Sequence, residues 1–206
     1  MDNKINDIIS ILKQHYPDPK CALNYTKDYE LMIAVRLSAQ CTDARVNMIT
    51  PALFSAYPTL EAMAAAPIEH IEQLVHSCGF YKHKARDIVL ACQMLIAKHN
   101  GKVPGTMEEL LALPGIGRKT ANLLLGDLYA VPGSVVCDTH VIRICGRLGL
   151  SQGKDPDKVE RQLRPILPPE ESSDFCHRIV LFGRDICTAR SPQCHRCPLS
   201  MFCTMV

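Results

Sequence analysis

The 206-residue sequence lacks long hydrophobic runs, internal repeats and a large net charge. No stretch is apolar for long enough to span a membrane, and the first residues lack the apolar core of a signal peptide, so we expect a cytoplasmic protein. A net charge of +2 is too small to indicate nucleic-acid binding by itself. Any affinity for DNA must therefore come from local clusters of basic residues.

Strand-like sequence is also scarce. Residues 131–136 (Val-Pro-Gly-Ser-Val-Val) are the one strand-like segment, and it is too short to found a sheet. Elsewhere the apolar residues recur at helical spacing, and hydrophobic residues make up 47% of an ordinary globular composition. The sequence therefore predicts an all-α protein. The predicted helices cover roughly residues 4–15, 28–37, 43–53, 60–65, 68–78, 85–100, 106–113, 118–128, 139–148, 156–165 and 176–185.

Several helix starts carry a residue that can cap them. Asp28, Asp43 and Asp138 each stand just before an apolar-periodic segment, where a carboxylate can accept a hydrogen bond from an early backbone N–H. Thr106 and Glu109 have the Thr-x-x-Glu spacing of a capping box.

A helical hairpin is predicted around residues 113–117 (Leu-Pro-Gly-Ile-Gly), because proline and glycine end one helix and a second begins near Arg118. Gly115 and Gly117 have no Cβ, so the backbone of the turn can come close to a ligand. The N–H groups at the start of the second helix suit a phosphate. An ordinary turn between packed helices is the alternative.

Lys119 lies in the first turn of that second helix, where the helix dipole disfavours a positive charge. This position and partial burial would both favour the neutral amine, which can attack a sugar C1′ and form a Schiff base. A phosphate-contacting or solvated lysine is the alternative. Asp138 has an alternative as well, since helix capping alone would explain a carboxylate just before Thr139.

Eleven cysteines form two groups. Seven are scattered, as small buried thiols would be in a reducing compartment: Cys21, Cys41, Cys78, Cys92, Cys137, Cys145 and Cys176. The other four, with the spacing C-x6-C-x2-C-x5-C, predict a metal centre that holds either zinc or a [4Fe–4S] cluster: Cys187, Cys194, Cys197 and Cys203. His195 is expected to be a bystander, and Arg190 either contacts phosphate or is a solvated charge.

The residues Leu113-Pro-Gly-Ile-Gly-Arg-Lys-Thr-Ala121, Asp138-Thr-His140 and the four-cysteine spacing together resemble the endonuclease III family of helix-hairpin-helix DNA glycosylases. The resemblance implies that Lys119 is the Schiff-base lysine and Asp138 the catalytic aspartate. It also implies a [4Fe–4S] cluster on the four C-terminal cysteines, which favours iron over zinc. Cys41 and Cys137 depart from the family, which often has other small apolar residues there.

Two further segments resemble loops of the same family that enter DNA. Leu37-Ser-Ala-Gln40 is similar to the loop whose glutamine fills the gap left by an extruded nucleotide, and Gly79-Phe80-Tyr81 to the loop whose apolar tip wedges into the duplex. From the sequence alone, Gln40 is a polar loop residue and Phe80 a core aromatic. Basic residues follow Phe80, as suits a wedge beside the DNA backbone: Lys82, His83, Lys84 and Arg86.

The resemblance further implies a fold of two helical lobes with DNA across the cleft. One lobe is a six-helix barrel of roughly residues 21–132 that contains the hairpin, and the other combines residues 1–20 with 133–206. The implied activity is that of a monomeric DNA glycosylase and AP lyase, associated with the bacterial nucleoid, that removes oxidised pyrimidines. The alternatives are a monofunctional glycosylase, which lacks the lysine, and a non-catalytic DNA-binding or redox-sensing module.

Overall fold

The computed structural model describes residues 2–205, and within that range the chain is all-α with no β-strand. This confirms the fold class. The α-helices, in chain order, are α1 (Asp2–His15), α2 (Asp28–Ser38), α3 (Asp43–Ala56), α4 (Leu60–Ala64), α5 (Ile68–Val75), α6 (Tyr81–His99), α7 (Met107–Leu111), α8 (Arg118–Tyr129), α9 (Thr139–Arg147), α10 (Pro156–Leu163) and α11 (Ser172–Asp185). Short 3-10 turns occur at His76–Cys78, Pro169–Glu171, Cys194–Arg196 and Ser200–Phe202. None of the described helices has the length and apolar character needed to cross a membrane.

The chain divides into two compact units. One is Ala22–Leu124, and the other is formed by the chain up to Cys21 together with the chain from Leu125 onward. The division falls inside α8, so this helix begins in the first of these units and ends in the second.

In the unit Ala22–Leu124, α2 is the most deeply buried helix. The segment from Leu31 to Val35 and Leu37 are almost inaccessible to water, as expected for a helix that is apolar on every side. It packs against α3 and α6, while α4 and α5 pack on the long α6. This core fixes the C-terminus of α2, which Gln40 follows, and the N-terminus of α6, which Phe80 precedes.

In the other unit, α11 is the central helix. It packs against α1 and α9, and Phe175 and Phe182 on α11 are buried together with Ile8 and Leu12 on α1. The helix predicted at residues 4–15 therefore contributes Ile8 and Leu12, four residues apart, to the core.

The capping chemistry was predicted correctly at two helices and wrongly by one residue at two others. Asp138 caps α9 and Thr106 caps α7 as expected. Asp28 and Asp43 instead lie in the first turns of their helices, after Lys27 and Thr42. The reason at α3 is that the Thr42 hydroxyl accepts the hydrogen bond from the Arg45 N–H at 3.3 Å. Asp43 instead lies in the first turn, where its negative charge interacts favourably with the positive end of the helix dipole.

Other helix boundaries also differ from the predictions. The helix after Thr106 ends at Leu111 rather than at residue 113, and α11 begins at Ser172 rather than near Cys176. The segment 131–136 is not a strand, because its polar groups bond to other partners. Gly133 N donates to Pro169 O at 2.8 Å, and Val136 N donates to Cys176 Sγ at 3.3 Å.

Candidate active site

The predicted hairpin is present between α7 and α8, and its two glycines have different surroundings. Gly115 has a φ of +75°, and a Cβ on it would overlap Arg36 Nε and lie 2.7 Å from Asp87 Oδ2. A Cβ on Gly117 would meet nothing within 4 Å. Gly115 is therefore required for packing within the protein, whereas Gly117 leaves the start of α8 open to a ligand.

Arg36 and Asp87 form an ion pair that packs against Gly115. Arg36 donates to Asp87 Oδ2 from Nε at 2.9 Å and from Nη2 at 2.7 Å. Arg36 belongs to α2 and Asp87 to α6, so this pair links the hairpin to both helices. Both side chains are largely buried, with 18% and 24% exposure, and two hydrogen bonds from one guanidinium define the geometry well.

Lys119 is the second residue of α8, which begins at Arg118 as predicted. The expected partial burial of Lys119 is wrong, since the residue is exposed. The buried positions of α8 begin only at Ala121, and the residues before it are partly or fully exposed. The amine is thus placed beside the open approach at Gly117 and is accessible to a large substrate.

Gln40 and Phe80 lie together and line a common pocket with Arg36, Ala39, His83 and Lys84. Phe80 is 66% exposed, so the interpretation of Phe80 as a core aromatic is wrong. Both residues have positive φ values, 54° for Gln40 and 46° for Phe80. Such backbone conformations are uncommon for residues other than glycine and concentrate at functional sites.

Lys84 is the one member of the predicted basic cluster that is buried rather than exposed. Its exposure is 1%, and its Nζ donates to Leu37 O at 2.8 Å, Ala39 O at 2.7 Å and Cys78 O at 2.6 Å. Burial lowers the pKa of Lys84, and the nearby Cys78 and Cys41 oppose that shift. The expectation that Lys84 belongs to a basic surface is therefore wrong, because its ammonium group is buried and binds three backbone carbonyls.

Asp138, in the other unit, has both carboxylate oxygens engaged. Oδ1 accepts from Val141 N at 2.8 Å, which caps α9, and Oδ2 lies 3.1 Å from His140 Nδ1. The Asp138 side chain is 23% exposed. These contacts hold the carboxylate in one orientation while leaving it partly accessible.

The four C-terminal cysteines line one cavity, together with Arg147 and apolar residues that include Ile186 and Pro192. Burial raises the pKa of the Cys197 thiol, and the neighbouring thiols of Cys187, Cys203 and Cys194 raise it further. Within residues 2–205, no three histidine, cysteine or acidic side chains lie close enough to share a single metal ion. The sulfurs instead border a space, and this arrangement of four soft ligands fits a group of several metal atoms.

Arg147 was not predicted from the sequence, although it contacts the same cavity. Its Nη1 donates to Cys187 Sγ at 3.1 Å and to Thr188 O at 3.2 Å. Arg190 and His195, in the cysteine-containing segment, are exposed. Of the scattered cysteines, five are buried as expected, whereas Cys21 and Cys41 are partly exposed.

Comparison with known proteins identifies the family. A family model described as HhH-GPD superfamily base excision DNA repair protein matches residues 33–169, and one described as the iron–sulfur binding domain of endonuclease III matches residues 187–203. Endonuclease III from Synechocystis sp. (strain ATCC 27184 / PCC 6803 / Kazusa) is 44% identical over 200 residues, covering 97% of this chain and 91% of that protein. The chain belongs to the endonuclease III family.

Solved structures of the family agree with this assignment. A trapped endonuclease III–DNA covalent intermediate, in an estranged-adenine complex, matches with a TM-score of 0.92 and 44% identity over 99% of this chain and 96% of that one. A non-covalent endonuclease III–DNA complex matches with the same TM-score and identity, over 99% and 95%. This member of the endonuclease III family is a bifunctional DNA glycosylase and AP lyase of base excision repair, and its cofactor is a [4Fe–4S] cluster.

One feature of this endonuclease III family member could have been found in the sequence. Lys84 lies on the same helical face as Ile88, Cys92 and Leu95, at spacings of four and three residues, so its burial follows from the apolar period of α6. The pairing of Arg36 with Asp87 has no such local signal, since it depends on how α2 and α6 pack.

Proposed function

We propose that the enzyme removes oxidised pyrimidines from duplex DNA and then cleaves the abasic strand with Lys119 as its nucleophile. The observation that carries the proposal is the exposed Lys119 amine in the first turn of α8, directly after the open approach at Gly117. A DNA phosphate bound to the N-terminus of α8 would place the neighbouring sugar within reach of this amine.

Phe80 and Gln40 would act on the duplex. A damaged base cannot be attacked while it is stacked, so the nucleotide must leave the helix first. An exposed phenylalanine can wedge between base pairs, and a glutamine beside it can hydrogen-bond to the base left without a partner. Their adjacency around one pocket supports a joint role.

The chemistry assigned to Lys119 is covalent. The neutral Nζ attacks C1′, and the base leaves with the electron pair of the glycosidic bond. One Nζ proton then transfers to the ring oxygen O4′ as the C1′–O4′ bond breaks, which opens the sugar ring and gives a protonated Schiff base. Removal of a C2′ proton expels the 3′ phosphate by β-elimination, and hydrolysis of the Schiff base releases Lys119.

We assign Asp138 to stabilising the positive charge that develops on the sugar, or to assisting proton transfer. A fixed carboxylate stabilises a developing cation without reorganising during the reaction. The α9 N–H of Val141 and the His140 ring supply that fixation.

The ligands of the cluster are assigned to Cys187, Cys194, Cys197 and Cys203, whose sulfurs line one cavity. When bound, the cluster supplies four metal–thiolate bonds that fold the C-terminal segment. The segment then presents the exposed Arg190 to a DNA phosphate. The enzyme acts as a monomer in this proposal.

A panel of duplexes tests the proposed substrate class. Base release is measured on strands that carry a ring-saturated thymine, an oxidised purine or an undamaged base at the same position. Release of the ring-saturated thymine by preference, followed by a nick at the same site, is expected. Preferential release of the oxidised purine, or of an undamaged adenine from a mispair, would contradict the proposal.

A further inference from the structure

A single buried ammonium group joins the two loops proposed to enter DNA. Lys84 Nζ reaches the carbonyls of Leu37 and Ala39 at the end of α2, and the carbonyl of Cys78 just before α6. An ammonium group has three N–H donors. The three carbonyl oxygens, at 2.6–2.8 Å, satisfy all of them.

The three carbonyls belong to residues that lie one to three positions before Gln40 or Phe80 in the sequence. Ala39 precedes Gln40, and Cys78 is two residues before Phe80. Gln40 and Phe80 both have positive φ values, and such conformations persist only where the surrounding structure holds them. Lys84 thus fixes the backbone on which both strained residues depend, although the loops are about forty residues apart in the sequence.

We propose that Lys84 is a positioning residue that holds Gln40 and Phe80 as one rigid element. The wedge residue Phe80 and the gap-filling residue Gln40 then enter the duplex together. This inference rests on the DNA-inserting roles proposed above for Gln40 and Phe80. Without the ammonium group, the two loops would move independently, and each would enter the duplex at a separate entropic cost.

A purely structural role is the competing explanation, since lysine side chains also stabilise the carbonyls at helix C-termini. The two explanations predict different substrate dependence. A stability role would lower all activities together. A positioning role would impair extrusion of a paired, damaged nucleotide more than cleavage at an abasic site, because a nucleotide without a base is easier to extrude.

The test uses Lys84→Met, which keeps most of the apolar stem and removes the donors. Single-turnover rates are measured on a duplex with a ring-saturated thymine and on one with a preformed abasic site. We expect the first rate to fall about tenfold and the second less than about threefold, since extrusion is the step affected. A 2-aminopurine placed beside the lesion should show a slower unstacking signal. If Lys84→Met yields no folded protein, Lys84→Gln, which retains two donors, is measured in its place.

Two control variants come from the same helix. Lys98→Met removes an exposed lysine at the other end of α6, and Leu95→Ala destabilises α6 at a fully buried position. Both residues lie at least 11 positions beyond Lys84 on α6, so both variants should leave the ratio of the two rates unchanged. Leu95→Ala also shows what a lower melting temperature does by itself.

A double-mutant cycle separates the possible failures. If Lys84 positions Phe80, then Phe80→Ala should cost far less in the Lys84→Met background than in the native one. Equal losses by Lys84→Met on both substrates, or full additivity with Phe80→Ala, would overturn the positioning role alone. If Phe80→Ala and Gln40→Ala leave the ratio unchanged in the native background, the proposed insertion itself is wrong, and this inference is overturned with it.

Discussion

Arg147 Nη1 donates a hydrogen bond to Cys187 Sγ at 3.1 Å. Hydrogen bonds from charged donors are strong, and hydrogen bonds to the sulfurs of an iron–sulfur cluster are among the factors that set its reduction potential. Arg147→Met should therefore weaken retention of the cluster. The iron and sulfide content after dialysis against a chelator would fall below that of the native protein, with loss of the brown colour.

Arg190→Met is the matched control for Arg147, because it removes the same charge from an exposed position in the cysteine segment. It should retain iron normally while it weakens DNA binding at low salt. If Arg147→Met keeps its full iron content through the same treatment, the hydrogen bond to Cys187 does not support the cluster.

The two hairpin glycines should respond differently to alanine. Gly115→Ala places a Cβ against Arg36 at a φ of +75°, so the free energy of unfolding should fall by about 1–3 kcal/mol. Gly117→Ala should change stability little and weaken binding of an abasic duplex, because its methyl group would occupy the phosphate approach. Thermal melting and a DNA titration measure the two effects. Equal DNA affinity of Gly117→Ala and the native enzyme would argue against phosphate binding there.

Asp138 combines two functions that two substitutions separate. Asp138→Asn retains an oxygen for the Val141 N–H but removes the charge, so folding should be nearly unchanged while strand cleavage slows by about 100-fold or more. Asp138→Ala also removes the cap of α9 and should cost about 1 kcal/mol of stability. Should Asp138→Asn cleave at the native rate, the carboxylate charge has no catalytic role.

Stability should decline at alkaline pH partly because of buried thiols. Burial raises the pKa of Cys92 from 9.0 to about 12. The contribution of this thiol to stability is therefore complete below pH 9 and is lost as the pH rises toward 12, since only the unfolded chain ionises there. One such group changes the free energy of unfolding by at most about 1.4 kcal/mol per pH unit.

Cys92→Ala isolates this effect from other titrating groups, including Lys84, whose lowered pKa acts in the opposite direction. Urea unfolding between pH 9 and 11 should give a shallower decline for Cys92→Ala than for the native protein. Parallel declines for the two proteins would show that Cys92 does not titrate on unfolding in this range.

Local chemistry was readable from the sequence, whereas the packing that completes the site was not. The Asp138 cap and the start of α8 at Arg118 depend on neighbours within a few residues, so their prediction succeeded. Phe80 was assigned to the core because an isolated aromatic residue is usually buried. Its left-handed backbone and exposure occur in a loop that Lys84 connects to the end of α2, a contact between segments distant in sequence.

The most direct test of the account is borohydride trapping with Lys119→Gln. Borohydride added during turnover on a ring-saturated thymine duplex reduces a Schiff base and leaves the protein covalently joined to DNA. The native enzyme and the control Lys102→Gln, which changes another exposed lysine, should both give the adduct and the nick. Lys119→Gln should give neither product. It should still bind the duplex with nearly native affinity, because the loss of one positively charged side chain near the DNA phosphates changes the affinity modestly. Adduct and nick formed at the native rate by Lys119→Gln would show that another residue is the nucleophile.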